Sequence, residues 1–143
     1  AGVQPDLIVC AGYLRIISAA SVRRFEGRMV NIHPSLLPKY PGLDTHARAL
    51  AAGDAEHGAS VHVVVPELDA GPLLSQVRIP VEPGDDAAAL AQRLLPREHA
   101  LLRATVALLA SRRLQIDKTP VTLDGRPLTA ALQLDRSDRL TGA

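Results

Sequence analysis

The run DLIVCAG, residues 6–12, constrains the fold more than any other stretch of this chain of 143 residues. It is apolar without alternation and ends at a glycine, which is typical of a strand covered on both faces. Strands of that kind belong to parallel sheets with helices packed on either side. The run therefore predicts an α/β fold, and the chain length suits a single domain over residues 1–143.

The rest of the chain alternates between strand-like and helix-like patterns. Strands are predicted at 28–32, 59–65 and 73–81, and helices at 18–27, 44–54 and about 87–111. This alternation predicts a mostly parallel sheet. The strands at 59–65 and 73–81 have no helix between them, so we expect them to be antiparallel neighbours.

Several residues predict where the helices begin and end. Asp44 is a candidate N-cap and Gly53 a stop for the second helix. Pro96 predicts a kink in the last helix or its division into two. From Leu114 onward the pattern is weak, and one or two short strands are expected.

The charge balance and the cysteine content exclude several classes of protein. Sixteen basic and fifteen acidic residues leave a formal net charge of +1, so neither nucleic acid nor a membrane surface is an expected partner. No apolar run approaches the ~20 residues of a membrane span. Cys10 is the single cysteine, which excludes a disulfide within the chain and predicts a cytoplasmic setting.

Asn31 and His33 stand two residues apart at the end of the predicted strand 28–32, before the stiff loop PSLLPKYPG. Alternate side chains of a strand share a face, and ligands of open α/β sheets bind beyond the carboxyl ends of strands. Histidine can move a proton near neutral pH, and an asparagine amide can donate to an oxyanion. On the spacing alone, a structural role at the strand end is the favoured interpretation.

Asp69 is a second polar centre, in the loop ELDAGP directly after the strand 59–65. A carboxylate beside a histidine favours the imidazolium, although Asp69 taken alone fits a turn residue better. His62 lies within a strand, where a hydrogen-bonded structural role is expected. Four histidines fall between positions 33 and 62, but none has the spacing of zinc ligands, and no metal is expected.

The segments NIHPSLLPKYPG and LDAGP strongly resemble the phosphoribosylglycinamide formyltransferase family, which transfers a formyl group from folate in purine synthesis. The resemblance runs from PDLIVCAGYLRIIS through REHALL and more loosely to LDGRPL, and thus covers nearly all of the chain; KYPG, HGASVH and REH point to the purine enzyme among the folate-dependent formyltransferases. It implies a Rossmann-like three-layer sandwich with an antiparallel C-terminal part. It also implies that the chain is a C-terminal portion, without the first strand and phosphate-binding loop of the family.

The resemblance implies roles for individual residues. Asn31, His33 and Asp69 match the catalytic trio that acts when the amine of glycinamide ribonucleotide attacks the formyl group. The stretch Leu14, Arg15, Ile16 and Ile17 matches the pterin-binding segment, and Val65, Pro66, Glu67, Leu68 and Asp69 match the loop on the other side of the pterin. Glu98 matches the residue that contacts the ribose hydroxyls.

Three functions therefore remain to be compared. The first is formyl transfer from 10-formyltetrahydrofolate to glycinamide ribonucleotide, without a metal. The second is a deformylase that uses water in place of the amine, although HPSLLPKYPG argues against it. The third is a non-catalytic folate-binding fragment. The expected partners are the two small-molecule substrates, and the expected state is a monomer or a weak homodimer; a tRNA-directed formyltransferase is disfavoured by the near-neutral charge.

Overall fold

The computed structural model describes residues 7–11 and 19–142. Three helices lie in this part of the chain: α1 (Ala19–Arg24), α2 (Thr45–Ala51) and α3 (Ala87–Ala110). The longer strands are β1 (Ile8–Ala11), β2 (Met29–His33), β3 (Glu56–Val63) and β4 (Leu73–Pro80). Short strands follow: β5 (Leu114–Gln115), β6 (Thr122–Leu123), β7 (Arg126–Pro127), β8 (Leu132–Leu134) and β9 (Leu140–Thr141).

Within the described residues, six strands form one mixed sheet in the order β1-β2-β3-β4-β8-β9. The pairs β1–β2 and β4–β8 are parallel. The pair β3–β4 is antiparallel, which confirms the prediction made from the missing helix between them, and β2–β3 and β8–β9 are antiparallel as well. The strands β5, β6 and β7 form a separate small antiparallel sheet.

Helices cover both faces of the large sheet. Val30 of β2 belongs to the same buried cluster as Leu90 and Leu101 of α3, whereas its neighbour Met29 packs with Val22 of α1. Because successive residues of a strand point to opposite faces, α1 and α3 lie on opposite sides. The arrangement is the three-layer α/β sandwich expected from the sequence. Asn31 and His33 share the face of Met29, away from α3.

Helix α3 is continuous through Pro96, which excludes a division into two helices; the alternative, a kink at Pro96, stays a prediction. Asp86 caps its start by accepting a hydrogen bond from the Ala89 amide at 2.8 Å. A proline inside a helix removes one backbone hydrogen bond and costs about 3 kcal/mol. Pro96 is exposed, and the side of the helix opposite to it is buried through four residues: Leu90, Leu94, Leu101 and Thr105.

Helix α2 begins after Asp44, but the side chain of Asp44 makes no capping hydrogen bond. Its backbone is left-handed, with φ 59°, which is not the extended conformation of a capping residue. Asp44 therefore occupies the predicted N-cap position, where its carbonyl accepts from the Arg48 amide at 2.9 Å, but its side chain does not cap the helix. Gly53, with φ 71°, follows the last turn as expected.

None of the helices in the described ranges is long and apolar enough to cross a membrane.

Candidate active site

The carboxylate of Asp69 lies between two histidine rings. Its Oδ2 is 3.5 Å from Nδ1 of His33, and its Oδ1 is 3.6 Å from Nε2 of His62. The side chains of Asp69, His33 and His62 are 6%, 9% and 4% exposed. The Gly42 amide also donates to Oδ2 of Asp69 at 2.9 Å. One largely buried negative charge therefore faces two imidazoles that enter from neighbouring strands, β2 and β3.

The backbone around the site defines the orientation of His33. Its Nε2 is 2.8 Å from the carbonyl oxygen of Tyr40, which can only accept, so Nε2 carries a proton. Nδ1 then faces the carboxylate of Asp69. A proton on Nδ1 would lie between the ring and the Asp69 carboxylate.

The loop that contains Tyr40 is held by its own contacts. Tyr40 has a left-handed backbone, with φ 54°, and its hydroxyl donates to Asp54 at 2.6 Å. Arg48 stacks over the Tyr40 ring at 5.2 Å and donates to the carbonyls of Pro41 and Leu43. These contacts hold in place the Tyr40 carbonyl, which accepts the hydrogen bond from Nε2 of His33.

Asn31 contacts His62 across the β2–β3 pairing, where the two residues are direct partners. Nδ1 of His62 donates to the Val63 carbonyl at 3.1 Å, and burial lowers the pKa of His62, so its Nε2 is an acceptor. That nitrogen lies 3.4 Å from Nδ2 of Asn31. Oδ1 of Asn31 is buried and has no hydrogen-bond partner among the described residues. An unpaired buried acceptor costs about 1–3 kcal/mol, and such groups mark places where a ligand donor can bind.

The loop predicted to bind the pterin lies beside the loop that follows His33. Val65 is half-buried, and Pro66, Glu67 and Leu68 are exposed. A methyl group added at Gly42 would lie 4.0 Å from Cδ2 of Leu68, so this loop lies against the loop that follows His33. Asp69 ends the run with φ 51°, a left-handed conformation that aspartate tolerates. Leu14, Arg15, Ile16 and Ile17 lie outside the described residues.

Glu98 lies on α3 and is half-buried, and burial raises the pKa of its carboxyl group. Among residues 7–11 and 19–142, no hydrogen bond or ion pair joins it to the trio. Its predicted contact with the ribose therefore stays a prediction. No group of three or more histidine, cysteine or acidic side chains in the described ranges has an arrangement that could hold a metal ion.

A second histidine pair is formed by His46 and His57. Nδ1 of His46 lies 3.0 Å from Nε2 of His57, and the rings meet edge to face. One nitrogen must donate and the other accept, so both rings cannot be fully protonated without breaking the bond. Burial, followed by repulsion from His46, lowers the pKa of His57 to about 4; Asp54 opposes the shift and His33 adds to it.

We expect His57 to make the protein less stable in acid. The unfolded chain binds the proton near pH 6.5 and the folded chain only near pH 4, so protons favour unfolding between these values. The stabilising contribution is complete above pH 6.5 and is lost as the pH falls toward 4. Urea midpoints of the complete natural chain should drop less from pH 7 to pH 5 in His57→Gln than in the unmodified protein.

The exposed histidine His99 provides the matched control for this comparison. His99→Gln should follow the pH dependence of the unmodified protein. An equal drop of the urea midpoint in His57→Gln and in the unmodified protein would show that His57 does not contribute to acid sensitivity.

The chain matches the formyl transferase family over residues 1–106. The chain belongs to this family. Among the relatives of this chain, the phosphoribosylglycinamide formyltransferase of Escherichia coli (strain K12) is 48% identical over 124 residues, which make up 87% of this chain and 58% of that protein. The chain thus spans little more than half the length of this relative.

Solved structures agree with the family assignment. A phosphoribosylglycinamide formyltransferase from Coxiella burnetii aligns with a TM-score of 0.82 at 48% identity, over 89% of this chain and 61% of the other. A formyltetrahydrofolate deformylase from Pseudomonas syringae aligns with a TM-score of 0.76 at 26% identity, over 82% and 40%. The fold is therefore the Rossmann-like α/β fold of the formyl transferases.

The structure brings the side chains of Asn31, His33 and Asp69 together, and their catalytic roles stay a prediction. It adds His62, for which the sequence predicted only a structural role in a strand. The signal for His62 is its position directly opposite Asn31 in an antiparallel pair, which requires the register of β2 and β3.

Proposed function

We propose that this chain contains the formyl-donor site and the catalytic residues of a phosphoribosylglycinamide formyltransferase. The reaction would transfer the formyl group of 10-formyltetrahydrofolate to the amine of glycinamide ribonucleotide. The observation that carries the proposal is the buried Asp69 carboxylate between His33 and His62, with Asn31 at their side. Support comes from the 48% identity to the Escherichia coli enzyme of that name.

Asn31 would stabilise the charge that develops on the formyl oxygen. Its Nδ2 has two N–H groups, of which one is directed at His62, so the second can donate to that oxygen. Its unpaired Oδ1 can accept from the attacking amine. Removal of one such donor typically costs about 3–4 kcal/mol in the barrier.

His33 and Asp69 would take part in the proton transfers of the reaction. The attacking amine loses a proton, and the N10 atom of the folate needs one as its bond to the formyl carbon breaks. Protonated His33, held between Asp69 and the Tyr40 carbonyl, places a positive charge beside the developing oxyanion. Asp69 can accept the proton of the amine through a bound water, because its second oxygen lies 3.6 Å from the accepting Nε2 of His62 and receives no hydrogen bond there. His33 would support the transfer of that proton to the leaving N10.

The remaining assignments extend this proposal to both substrates. The loop from Val65 to Leu68 would contact one side of the pterin, and Leu14 to Ile17 the other, while Glu98 would contact the ribose. No metal is part of the mechanism. The family and the single cysteine Cys10 support a cytoplasmic setting, and a monomer or a weak homodimer is the proposed state.

The proposal is tested by a formyl-transfer assay with 10-formyltetrahydrofolate, with and without glycinamide ribonucleotide. The assay compares the complete natural polypeptide with the 143-residue segment. We expect turnover of the complete polypeptide only when the nucleotide is present.

The likeness to the Pseudomonas syringae deformylase makes hydrolysis the second candidate. Formate release without nucleotide would favour the deformylase and overturn the transferase. Folate binding without either activity in the complete polypeptide would leave a non-catalytic folate-binding protein.

A further inference from the structure

A row of polar side chains crosses the sheet and ends at His33. His33 on β2 pairs with Ser60 on β3, Ser60 with Gln76 on β4, and Gln76 with Gln133 on β8. Directly paired residues present their side chains on the same face. We call His33, Ser60, Gln76 and Gln133 the polar row. It lies on the face of the candidate site, opposite α3.

Gln76 connects this row to the loop that follows His33. Its Nε2 donates to the Leu37 carbonyl at 2.9 Å and to the Ser60 hydroxyl at 3.0 Å. Gln76 is 5% exposed and Ser60 is fully buried, so water does not substitute for these bonds. Ser60 in turn donates to the Ser35 carbonyl and accepts from the Leu37 amide. Its hydroxyl thus uses its one donor and both acceptor sites.

Gln133 defines which end of the Gln76 amide faces the loop. Nε2 of Gln133 donates to Oε1 of Gln76 at 3.3 Å. A reversed amide would direct Oε1 at the Leu37 carbonyl, and two acceptors would then meet in a buried place. The hydrogen bond from Gln133 therefore favours the orientation in which Gln76 donates to the loop.

The loop transmits this restraint to His33. The Ser35 amide donates to the His33 carbonyl at 2.9 Å, and the Ser35 hydroxyl donates to the Lys39 carbonyl at 2.6 Å. The carbonyl of the next residue, Tyr40, accepts the hydrogen bond from the His33 ring. A displacement of Leu37 would therefore change both the backbone next to His33 and the partner of its ring.

We propose that Gln76, oriented by Gln133, is a positioning residue for His33. It touches neither substrate nor reacting atoms and acts through the Leu37 carbonyl. The proposal rests on the formyl-transfer function proposed above. Misplacement of a catalytic group by about 1 Å can lower a rate about 100-fold, so the restraint has a measurable consequence.

The test substitutes Gln76 with methionine in the complete natural enzyme. Gln76→Met keeps the length of the side chain and removes the N–H groups that donate to the Leu37 carbonyl in the loop and to the Ser60 hydroxyl on β3. We expect kcat to fall about 10- to 100-fold, with little change in KM for either substrate. Gln133→Leu leaves Gln76 in place without its orienting donor and should lower kcat less. The ring ¹⁵N resonances of His33 should shift in both variants.

Thr105→Val is the matched control on the other face of the sheet. Thr105 is fully buried, and its hydroxyl lies 2.6 Å from the hydroxyl of Ser75, without contact to the loop. It should lower the urea midpoint but leave kcat and the His33 resonances unchanged. An equal loss of kcat in Thr105→Val, or an unchanged kcat in Gln76→Met, would overturn the positioning role.

The two proposals fail in different ways. If the unmodified complete enzyme transfers no formyl group, the proposed function fails, and the His33 resonances alone decide whether Gln76 positions that ring. If Gln76→Met does not fold, the milder variant Gln133→Leu decides. Unchanged kcat and unchanged His33 resonances in that variant would overturn the proposal that Gln76, oriented by Gln133, positions His33.

Discussion

Replacement of Asp69 with asparagine should lower the kcat of the complete natural enzyme by a factor of about 10²–10⁴, the range typical of acid–base residues. Asparagine also tolerates the left-handed backbone that Asp69 adopts at φ 51°, and its amide oxygen can still accept from the Gly42 amide. The fold should therefore persist. What is lost is the negative charge that faces His33 and His62. Initial rates of nucleotide-dependent formyl transfer measure the effect.

Asp124→Asn is the control that separates charge at the site from backbone effects. Asp124 has the same φ of 51°, and its carboxylate pairs with Arg113 at 2.9 Å on the surface. Its side chain is 52% exposed, and surface ion pairs contribute little to stability. We expect an unchanged kcat. A well-folded Asp69→Asn enzyme with the rate of the control would remove Asp69 from the mechanism.

A double variant tests whether His33 and Asp69 act as a unit. His33→Ala should lower kcat by a factor similar to that of Asp69→Asn, since each removes one half of the ion pair. In the double variant the two losses should not multiply, because the second substitution has no pair left to break. Multiplying losses would mean that the two residues act independently.

The position of Asn31 and His33 on one face of the same strand could be predicted from the sequence. Side chains alternate between the two faces of any strand, so this prediction needs no knowledge of the neighbouring strands. The antiparallel pairing of β3 and β4 could be predicted as well, because a short loop that contains two prolines connects them without a helix. Asp69 could be placed near His33 only through the resemblance. Its actual partners depend on the return of a loop from β3 to the residues that follow β2.

His62 shows what a pattern of alternation leaves undetermined. The pattern predicts a strand and assigns its faces, but it does not tell which residue of a neighbouring strand lies opposite. The register Asn31–His62 is a property of the β2–β3 pair, and the β3–β4 register shifts between Val61 and His62. The polar row could not be predicted for the same reason, since it needs four strands in register. Asp44 is a simpler case: its residue type predicted the N-cap position, which it occupies, but its backbone is left-handed and its side chain makes no capping hydrogen bond.

Gly71→Ala should prevent most of the complete natural chain from folding. A Cβ atom at this position would lie 1.7 Å from the carbonyl oxygen and 2.8 Å from the carbonyl carbon of Val63, both backbone atoms of β3. The Val63 amide is bonded to the Pro72 carbonyl at 2.9 Å, so the two segments cannot separate without losing that bond. We expect a loss comparable to the whole stability of a typical domain, about 5–15 kcal/mol. Soluble yield and urea midpoints measure it.

Substitutions at two other glycines separate the steric collision at Gly71 from the cost of backbone strain. Gly142 has neither a near neighbour nor a positive φ, so Gly142→Ala should be neutral. Gly84 has open space but a φ of +84°, and Gly84→Ala should cost about 1–2 kcal/mol through backbone strain alone. The difference between these costs and that of Gly71→Ala isolates the collision with β3. Because Gly71 lies two residues after Asp69 and meets the strand just beyond His62, the close approach that only glycine permits also determines how near the carboxylate comes to that histidine. A stable Gly71→Ala enzyme with full activity would show that the loop can meet β3 in another way.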